Sequence, residues 1–503
     1  MRTILLTTAC LTAITGCTPG KKTPADKKPN IIIIYADDLG YGDIGVNGAK
    51  GVQTPNIDRL ARQGINFTDA HCSAATSTPS RFSLLTGSYA FRIDAAVLQG
   101  DAPLIIDHEK GTLPSMLKEA GYKTGVVGKW HLGLGNGSVN WNEEISPGPR
   151  ETGFDYSFLI PATGDRVPCV FVENQKVAGI DPEDPIEVSY GAPIEGYPIG
   201  SEHPELLKVS ADPQHSNTIV NGISRIGFMR GGEKALWKDE DFPFVLTDKG
   251  KAFISENKED PFFLYFAFHD IHVPRMPNEM FTGKSTMGPR GDAIAQMDWC
   301  VGQLTEHLEN LGLAENTLII FTSDNGPVLD DGYDDKAVEL VGEHKPGGPY
   351  RGAKYSILEA GTRMPTIVYW KGTVKPGVSS ALLTQVDLYA SLAKLAGQEI
   401  KPGDAPDSEE HLDAWLGRTE KGREFMLEEA YTFAIRKGGW KLIMPQKGTP
   451  PDWMKNKKVE TGLTDQIQLY NLKEDIGETK NVATENPNLV KELQERLEKI
   501  ISD

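Results

Sequence analysis

An α/β fold, with a large mostly parallel central sheet flanked by helices, is predicted by three observations. The first strand is of the fully buried type, helix and strand then alternate, and chemically loaded residues stand where strands end. Asn30 to Tyr35 is a continuous β-branched run, as expected of a strand covered on both faces, and it stops at Asp37-Asp38. Thr54-Pro55 reads as a helix start, with Ile57, Leu60, Ala61 and Ile65 as its apolar stripe. Leu113 to Ala120 is a second helix, closed by Gly121. A strand at Thr124 to Val127 then delivers Gly128-Lys129-Trp130-His131. Pro261 to Phe268 is an aromatic strand ending at His269 and His272, Asp292 to Leu311 is helical, and Thr317 to Thr322 is a strand ending at Asp324-Asn325. From about residue 405 the pattern changes. Tyr431 to Met444, around Lys437-Gly438-Gly439, reads as a hairpin, followed by a strand at Leu469 to Asn471 and a helix at Asn488 to Ile501. These imply a smaller C-terminal α+β subdomain with an antiparallel sheet.

The chain has 503 residues, 39% hydrophobic and 24% charged, enough for one large domain and a smaller one. A formal net charge of -18 excludes general affinity for nucleic acid or for an anionic membrane surface. An anionic substrate must therefore be drawn in by a local cluster of cations. Arg2, the apolar stretch Ile4 to Ile14 and Thr15-Gly16-Cys17 have the form of an export signal over residues 1–17, too short to span a bilayer. A cysteine in this setting resembles the bacterial lipobox, with Cys17 lipidated; a plain secretory peptide is the alternative. Residues 18–29 form a polar tether rich in Lys and Pro. The expected location is the periplasm or the outer membrane of a bacterium, with membrane attachment only through that lipid. Cys72, Cys169 and Cys300 show no close-spaced metal pattern and read as buried thiols, with a Cys72–Cys300 pair left open.

The most specific motif is Ser77-Thr78-Pro79-Ser80-Arg81 ahead of an apolar helix. Pro79 belongs in a first helical turn, so Ser77 lies just before free N–H groups that favour anions, and Arg81 can point back to the same place. Read alone it is equally an ordinary helix cap. Asp37, Asp38, Asp324 and Asn325 offer only oxygen ligands, which suits calcium or magnesium, although both dipeptides are also plausible turns. Lys129 and His131 share one face of an extended segment. With His272 and Lys354 they make an anion-binding set in an acidic protein.

In these motifs and their order, from Asn30 to Lys354, through Glu359-Ala360-Gly361-Thr362-Arg363 and again at Leu469 to Leu472, the chain resembles the type I sulfatases of the alkaline phosphatase superfamily. The resemblance implies that Ser77, in the serine form of the family motif, is oxidised to formylglycine by a maturase of the radical type. It also implies one Ca2+, or Mg2+, held by Asp37, Asp38, Asp324, Asn325 and the modified Ser77. Arg81 and Lys129 then steady the formylglycine hydrate, and Lys129, His272 and Lys354 neutralise the sulfate. His272 or Lys354 protonates the departing oxygen, and His131 is the base for sulfate release. The implied division is a catalytic domain at 30–405 and a C-terminal subdomain at 406–503.

Substrate choice should lie in loops outside these motifs. In the stretch from Pro161 to Gly232, Asp165, Arg166 and His215 are the candidate sugar-binding residues, with a simple loop-holding Asp–Arg ion pair as the alternative. Together with Gly164-Asp165-Arg166-Val167-Pro168, the pattern resembles exo-acting carbohydrate sulfatases. It points to galactose or N-acetylgalactosamine sulfate, at O6 or O4, in mucin, glycosaminoglycan or algal glycans. Asp330-Asp331 and Asp334-Asp335 read as a solvated loop before sugar contacts, and Trp440 as core packing before sugar stacking. Two rivals remain at this point: a phosphoester hydrolase, which would want imidazole metal ligands, and a non-catalytic glycan-binding lipoprotein.

Overall fold

The computed structural model describes residues 27–446, 454 and 458–503. The signal segment 1–17, with Cys17, and residues 18–26 of the tether lie outside the described residues.

The central sheet has ten strands: β1 (Asn30–Ala36), β2 (Ile65–Phe67), β3 (Lys123–Lys129), β4 (Tyr156–Ile160), β5 (Val172–Glu173), β6 (Lys176–Val177), β7 (Phe262–Ala267), β8 (Thr317–Ser323), β9 (Thr366–Tyr369) and β10 (Gly377–Ser379). They lie in the order β10-β2-β9-β8-β1-β7-β3-β4-β5-β6. The five from β8 to β4 run parallel, so their carboxyl ends share one edge. Antiparallel β9 and β5 flank them. Every residue of β1 is buried, because Ile31 to Tyr35 sit between β7 and β8 with helices above and below. That position explains an apolar run without alternation.

The main helices are α1 (Pro55–Gln63), α2 (Ser77–Thr86), α3 (Leu113–Glu119), α4 (Phe242–Glu256), α5 (Gly288–Asn310), α6 (Leu388–Ala396) and α7 (Pro487–Ser502). α1, α4 and α5 pack as one group, and α2, α3 and α6 as another, as two covered sheet faces require. Two local expectations shift. Ile65 is not on the α1 stripe but opens β2, and Ser77 is the first residue of α2 with Thr76 as its cap. The buried cysteines Cys72, Cys169 and Cys300 are free thiols. Among the described residues, no helix is long and apolar enough to cross a membrane.

Four antiparallel strands follow in sequence order: β11 (Met426–Glu429), β12 (Phe433–Lys437), β13 (Trp440–Ile443) and β14 (Gln468–Asn471). Leu493 and Leu497 of α7 pack in the same apolar cluster, and half-buried Trp440 lies against it as core packing. β11 escapes sequence patterning because its Glu428 is buried for a charge partner rather than for apolar contact. Lys441 on β13 lies 3.0 Å from Glu359, 3.3 Å from Glu428 and 3.5 Å from Glu478, all buried. Glu359 also meets Arg363 at 2.7 Å and Arg436 at 3.1 Å. This network ties the C-terminal sheet to the segment just after Lys354. Glu359→Ala takes the shared carboxylate from three buried cations, which keep Asp69, Glu428 and Glu478 as partners, and should lower stability by about 2–3 kcal/mol in chemical denaturation.

Candidate active site

The parallel strands bring the predicted residues to one edge. β1 ends at Asp37 and Asp38, and β8 at Asp324 and Asn325; all four are fully buried. Asp38 has φ +57°, a conformation that turns its carboxylate toward β8. Its N–H donates to Asp324 Oδ1 at 3.2 Å, and Asn325 Nδ2 donates to Asp38 Oδ1 at 2.7 Å. β3 delivers Lys129, whose Nζ donates to Asp37 Oδ2 at 2.5 Å. Gly128 has to be glycine: its φ is +107°, and a Cβ would fall 1.8 Å from the Ala267 carbonyl oxygen on β7.

Ser77 sits at the N-terminus of α2, above these strand ends. Arg81, one turn on, donates from Nε to Ser77 Oγ at 2.9 Å, and from Nη2 to Asp324 Oδ2 at 2.8 Å. His131 Nδ1 lies 3.4 Å from Ser77 Oγ while its Nε2 faces the Leu98 carbonyl at 3.0 Å. The ring proton therefore belongs on Nε2, which leaves Nδ1 an acceptor aimed at Ser77. Burial, with Lys129 and Arg166 nearby, holds His131 well below the usual imidazole range, so it is neutral at pH 7. His272 is likewise depressed by burial, Lys354 and Lys129, and its Nδ1 donates to the Val273 carbonyl at 2.6 Å.

Lys354 Nζ lies 3.0 Å from Asp38 Oδ2 and 3.0 Å from Asp331 Oδ2. Burial opposes its charge, but Asp331 and Asp38 outweigh it and raise the ammonium well above its ordinary value. A cavity of about 260 Å³ opens above Ser77, and His131, His272 and Lys354 line it.

Asp165, Arg166 and His215 line the same cavity. The Asp165–Arg166 ion pair exists, at 2.9 Å, as the loop-holding reading of that dipeptide expects. His215 Nδ1 meets Asp212 Oδ1 at 2.7 Å and its Nε2 meets Asp165 Oδ2 at 3.3 Å. Burial lowers its affinity for a proton, yet the two carboxylates win and raise it. The solvated-loop expectation fails for half of its residues. Asp330 and Asp334 are exposed, but Asp331 is buried on Lys354 and Tyr355, and Asp335 on Arg275 at 2.8 Å. Sequence reasoning also missed Gln99, Gln214 and Tyr355, which line the cavity. Tyr355 was findable as the neighbour of Lys354; the two glutamines carry no motif.

Residues 29–398 match the family described as Sulfatase. This chain belongs to the sulfatase family. The sulfatase is 51% identical over 496 residues to an N-acetylgalactosamine-6-O-sulfatase of Bacteroides thetaiotaomicron, covering 97% of this chain and 96% of that one. It is 31% identical over 493 residues to human arylsulfatase A, covering 93% and 87%. A solved structure concerned with metabolism of multiple glycosaminoglycans by B. thetaiotaomicron superposes with a TM-score of 0.93 at 52% identity, covering 95% of this chain and all of that one. The sulfatase is thus a sulfuric ester hydrolase with the predicted fold, which removes the phosphoester and binding-protein rivals.

A metal ion is typical of this family, and the residues fit one. Asp37, Asp38 and Asp324 bring ligand oxygens within 4.8 Å of one another. Asp37 Oδ1 and Asn325 Oδ1 are buried and have no hydrogen-bond partner among the described residues. Such orphaned acceptors are costly unless a cation or water meets them. Burial, and then the neighbouring Asp324, raise Asp37 well above the carboxylate range, a repulsion that a divalent cation relieves. The all-oxygen set matches the hard cations Ca2+ and Mg2+.

Proposed function

We propose that this sulfatase hydrolyses 6-O-sulfate esters on N-acetylgalactosamine or galactose at the exposed end of a sulfated glycan, with formylglycine at position 77 and one Ca2+. The observation that carries this reading is a single cavity with Ser77 on its floor and Asp165, Arg166 and His215 on its wall. The near full-length similarity to an N-acetylgalactosamine-6-O-sulfatase supports the sugar. Residues 30–405 would form the catalytic domain and 406–503 the subdomain that braces it. Export as a periplasmic or outer-membrane lipoprotein through residues 1–17 and Cys17, and maturation by a radical-type maturase acting on Ser77, complete the proposal.

Asp37, Asp38, Asp324, Asn325 and the residue at position 77 would hold the ion, which draws charge from the sulfate oxygens when bound. Formylglycine supplies a nucleophile that serine lacks, because its hydrate has a second hydroxyl for later release of sulfate. Arg81 fixes position 77 through its bond to Ser77 Oγ, Lys129 holds the neighbouring Asp37, and the two place positive charge beside the sulfate. His131 Nδ1, neutral and 3.4 Å from Ser77 Oγ, accepts the proton that frees the product. Of the two residues beside the leaving oxygen, Lys354 carries its proton at neutral pH and His272 does not. Asp165 accepts hydrogen bonds from sugar hydroxyls and Arg166 donates them, while His215, with its ring nitrogens on Asp212 and Asp165, holds Asp165 in place.

Matured protein assayed on a panel of sulfated monosaccharides should favour the 6-sulfates of N-acetylgalactosamine and galactose over glucosamine 6-sulfate by at least about 100-fold in kcat/KM. A preference for glucosamine sulfate, or for a matched phosphate ester, would overturn the assignment. His215→Ala takes away the ring that holds Asp165 in the wall and should cost about 100-fold in kcat/KM on the preferred sugar.

A further inference from the structure

Lys354 is a long, flexible side chain asked to stand at one point beside a departing oxygen. Three groups confine it. Asp38 and Asp331 each take its Nζ at 3.0 Å, and the Tyr355 ring centroid lies 5.3 Å away. The Tyr355 hydroxyl in turn donates to Asp331, at 3.2 Å from Oδ1 and 3.3 Å from Oδ2. Consecutive side chains do not normally converge on one carboxylate; here Tyr355 adopts φ +71°, and that turn brings both 354 and 355 onto Asp331. Asp331 and Lys354 are both 4% exposed, yet both line the cavity over Ser77.

We propose that Asp331 is the positioning residue for Lys354, sharing its ammonium with Asp38 and keeping it aimed at the leaving-group side of the cavity. The proposal rests on the function proposed above and adds a residue to it. Asp38 cannot do this job alone. It belongs to the carboxylate trio, with Asp37 and Asp324, that converges for an ion, and an oxygen turned to a divalent cation has less to offer an ammonium. Asp331 stands outside that trio. Asp38, His272 and Asp331 also converge closely enough for an ion of their own, but Lys354 already bridges the two carboxylates.

Charge leads to the same place. Arg81, Lys129 and Lys354 are matched one for one by Asp37, Asp38 and Asp324. One more buried carboxylate lets a divalent cation and a monoanionic sulfate ester enter together with no net charge left over. Without Asp331, Lys354 has Asp38 as its remaining carboxylate and competes with the ion for it.

The test is a double-mutant cycle of Asp331→Ala and Lys354→Ala on matured protein, read by calcium titration calorimetry and by steady-state kinetics. Asp331→Ala alone should weaken calcium binding at least about five-fold, and that loss should vanish when Lys354 is also Ala. It should lower kcat about 100-fold with little change in KM, and cost less than about two-fold further in the Lys354→Ala background. Asp331→Asn keeps the shape and the Tyr355 bond and should show the same pattern in weaker form, which serves if the alanine variant folds poorly. Additive losses in either readout, or an Asp331→Ala enzyme within two-fold of the parent in both, would overturn the proposal. A parent that turns over no sulfate ester would strike the proposed function instead, and the calcium cycle would still decide the role of Asp331.

Discussion

Ser77→Ala should lower kcat/KM by at least about 10⁴-fold while leaving the fold intact. Ser77 Oγ is the one atom on which the site converges: Arg81 Nε donates to it at 2.9 Å, and His131 Nδ1 faces it at 3.4 Å. Removing it takes away the only position at which a formylglycine can be made within this cluster of cations. The effect on stability should be small, within about 1 kcal/mol, because alanine is a good helix former and Arg81 keeps its bonds to Asp324. Turnover of a 6-sulfated sugar, circular dichroism and thermal melting, on parent and variant produced with the same maturase, give the comparison. A variant that retained even a hundredth of the parent rate would mean that a different group attacks the ester. Mass spectrometry of the peptide containing residue 77 shows whether the parent was modified, so an inactive parent cannot be mistaken for support.

Much of this site was legible in the sequence because of where the strands lie. β1, β7 and β8 are central in a parallel sheet, so each must be apolar along its whole length, and the polar residue that ends each run marks the edge where ligands bind. Asp37, Asp324 and His272 follow such runs directly or within a short turn. Loops carry no such signal. Asp330 and Asp331 are neighbours of identical chemistry, yet one is exposed and the other buried, because Lys354 lies 23 residues on and reaches only the second. Asp335 is buried for Arg275, 60 residues earlier. The main-chain partner of His131, the Leu98 carbonyl, is invisible to any argument from side-chain type, although it decides which nitrogen faces Ser77. β11 was missed for a related reason: its Glu428 accepts from Thr362 and pairs with Lys441, so a buried strand reads as polar. In each case the deciding partner is distant in the chain, and local pattern holds no record of it.

Asp324→Asn separates the structural and the metal-binding duties of the strand ends, and it should abolish activity in a way that added calcium does not repair. Asp324 is held well below the carboxylate range: burial opposes its charge, and Arg81 and Lys129 overcome that opposition, so it is ionised at any working pH. Asparagine keeps the shape and one acceptor for Arg81 but loses the charge that balances Arg81 at 2.8 Å and Lys129 at 3.9 Å. Two buried cations then share Asp37, and stability should fall by about 2–4 kcal/mol, somewhat less than for outright truncation of a buried pair. Calcium affinity should drop at least about 100-fold, since a hard cation loses one of three charged ligands. Melting curves tell the two duties apart. Calcium at about 100 times its Kd should add about 2.7 kcal/mol to the parent, and chelation should remove that increment together with the activity. The variant should melt lower and at the same temperature with or without calcium. A variant that still gained stability from calcium would leave Asp324 a counter-ion to Arg81 and nothing more, and the ion would have to be sought among Asp37, Asp38, Asn325 and the residue at position 77.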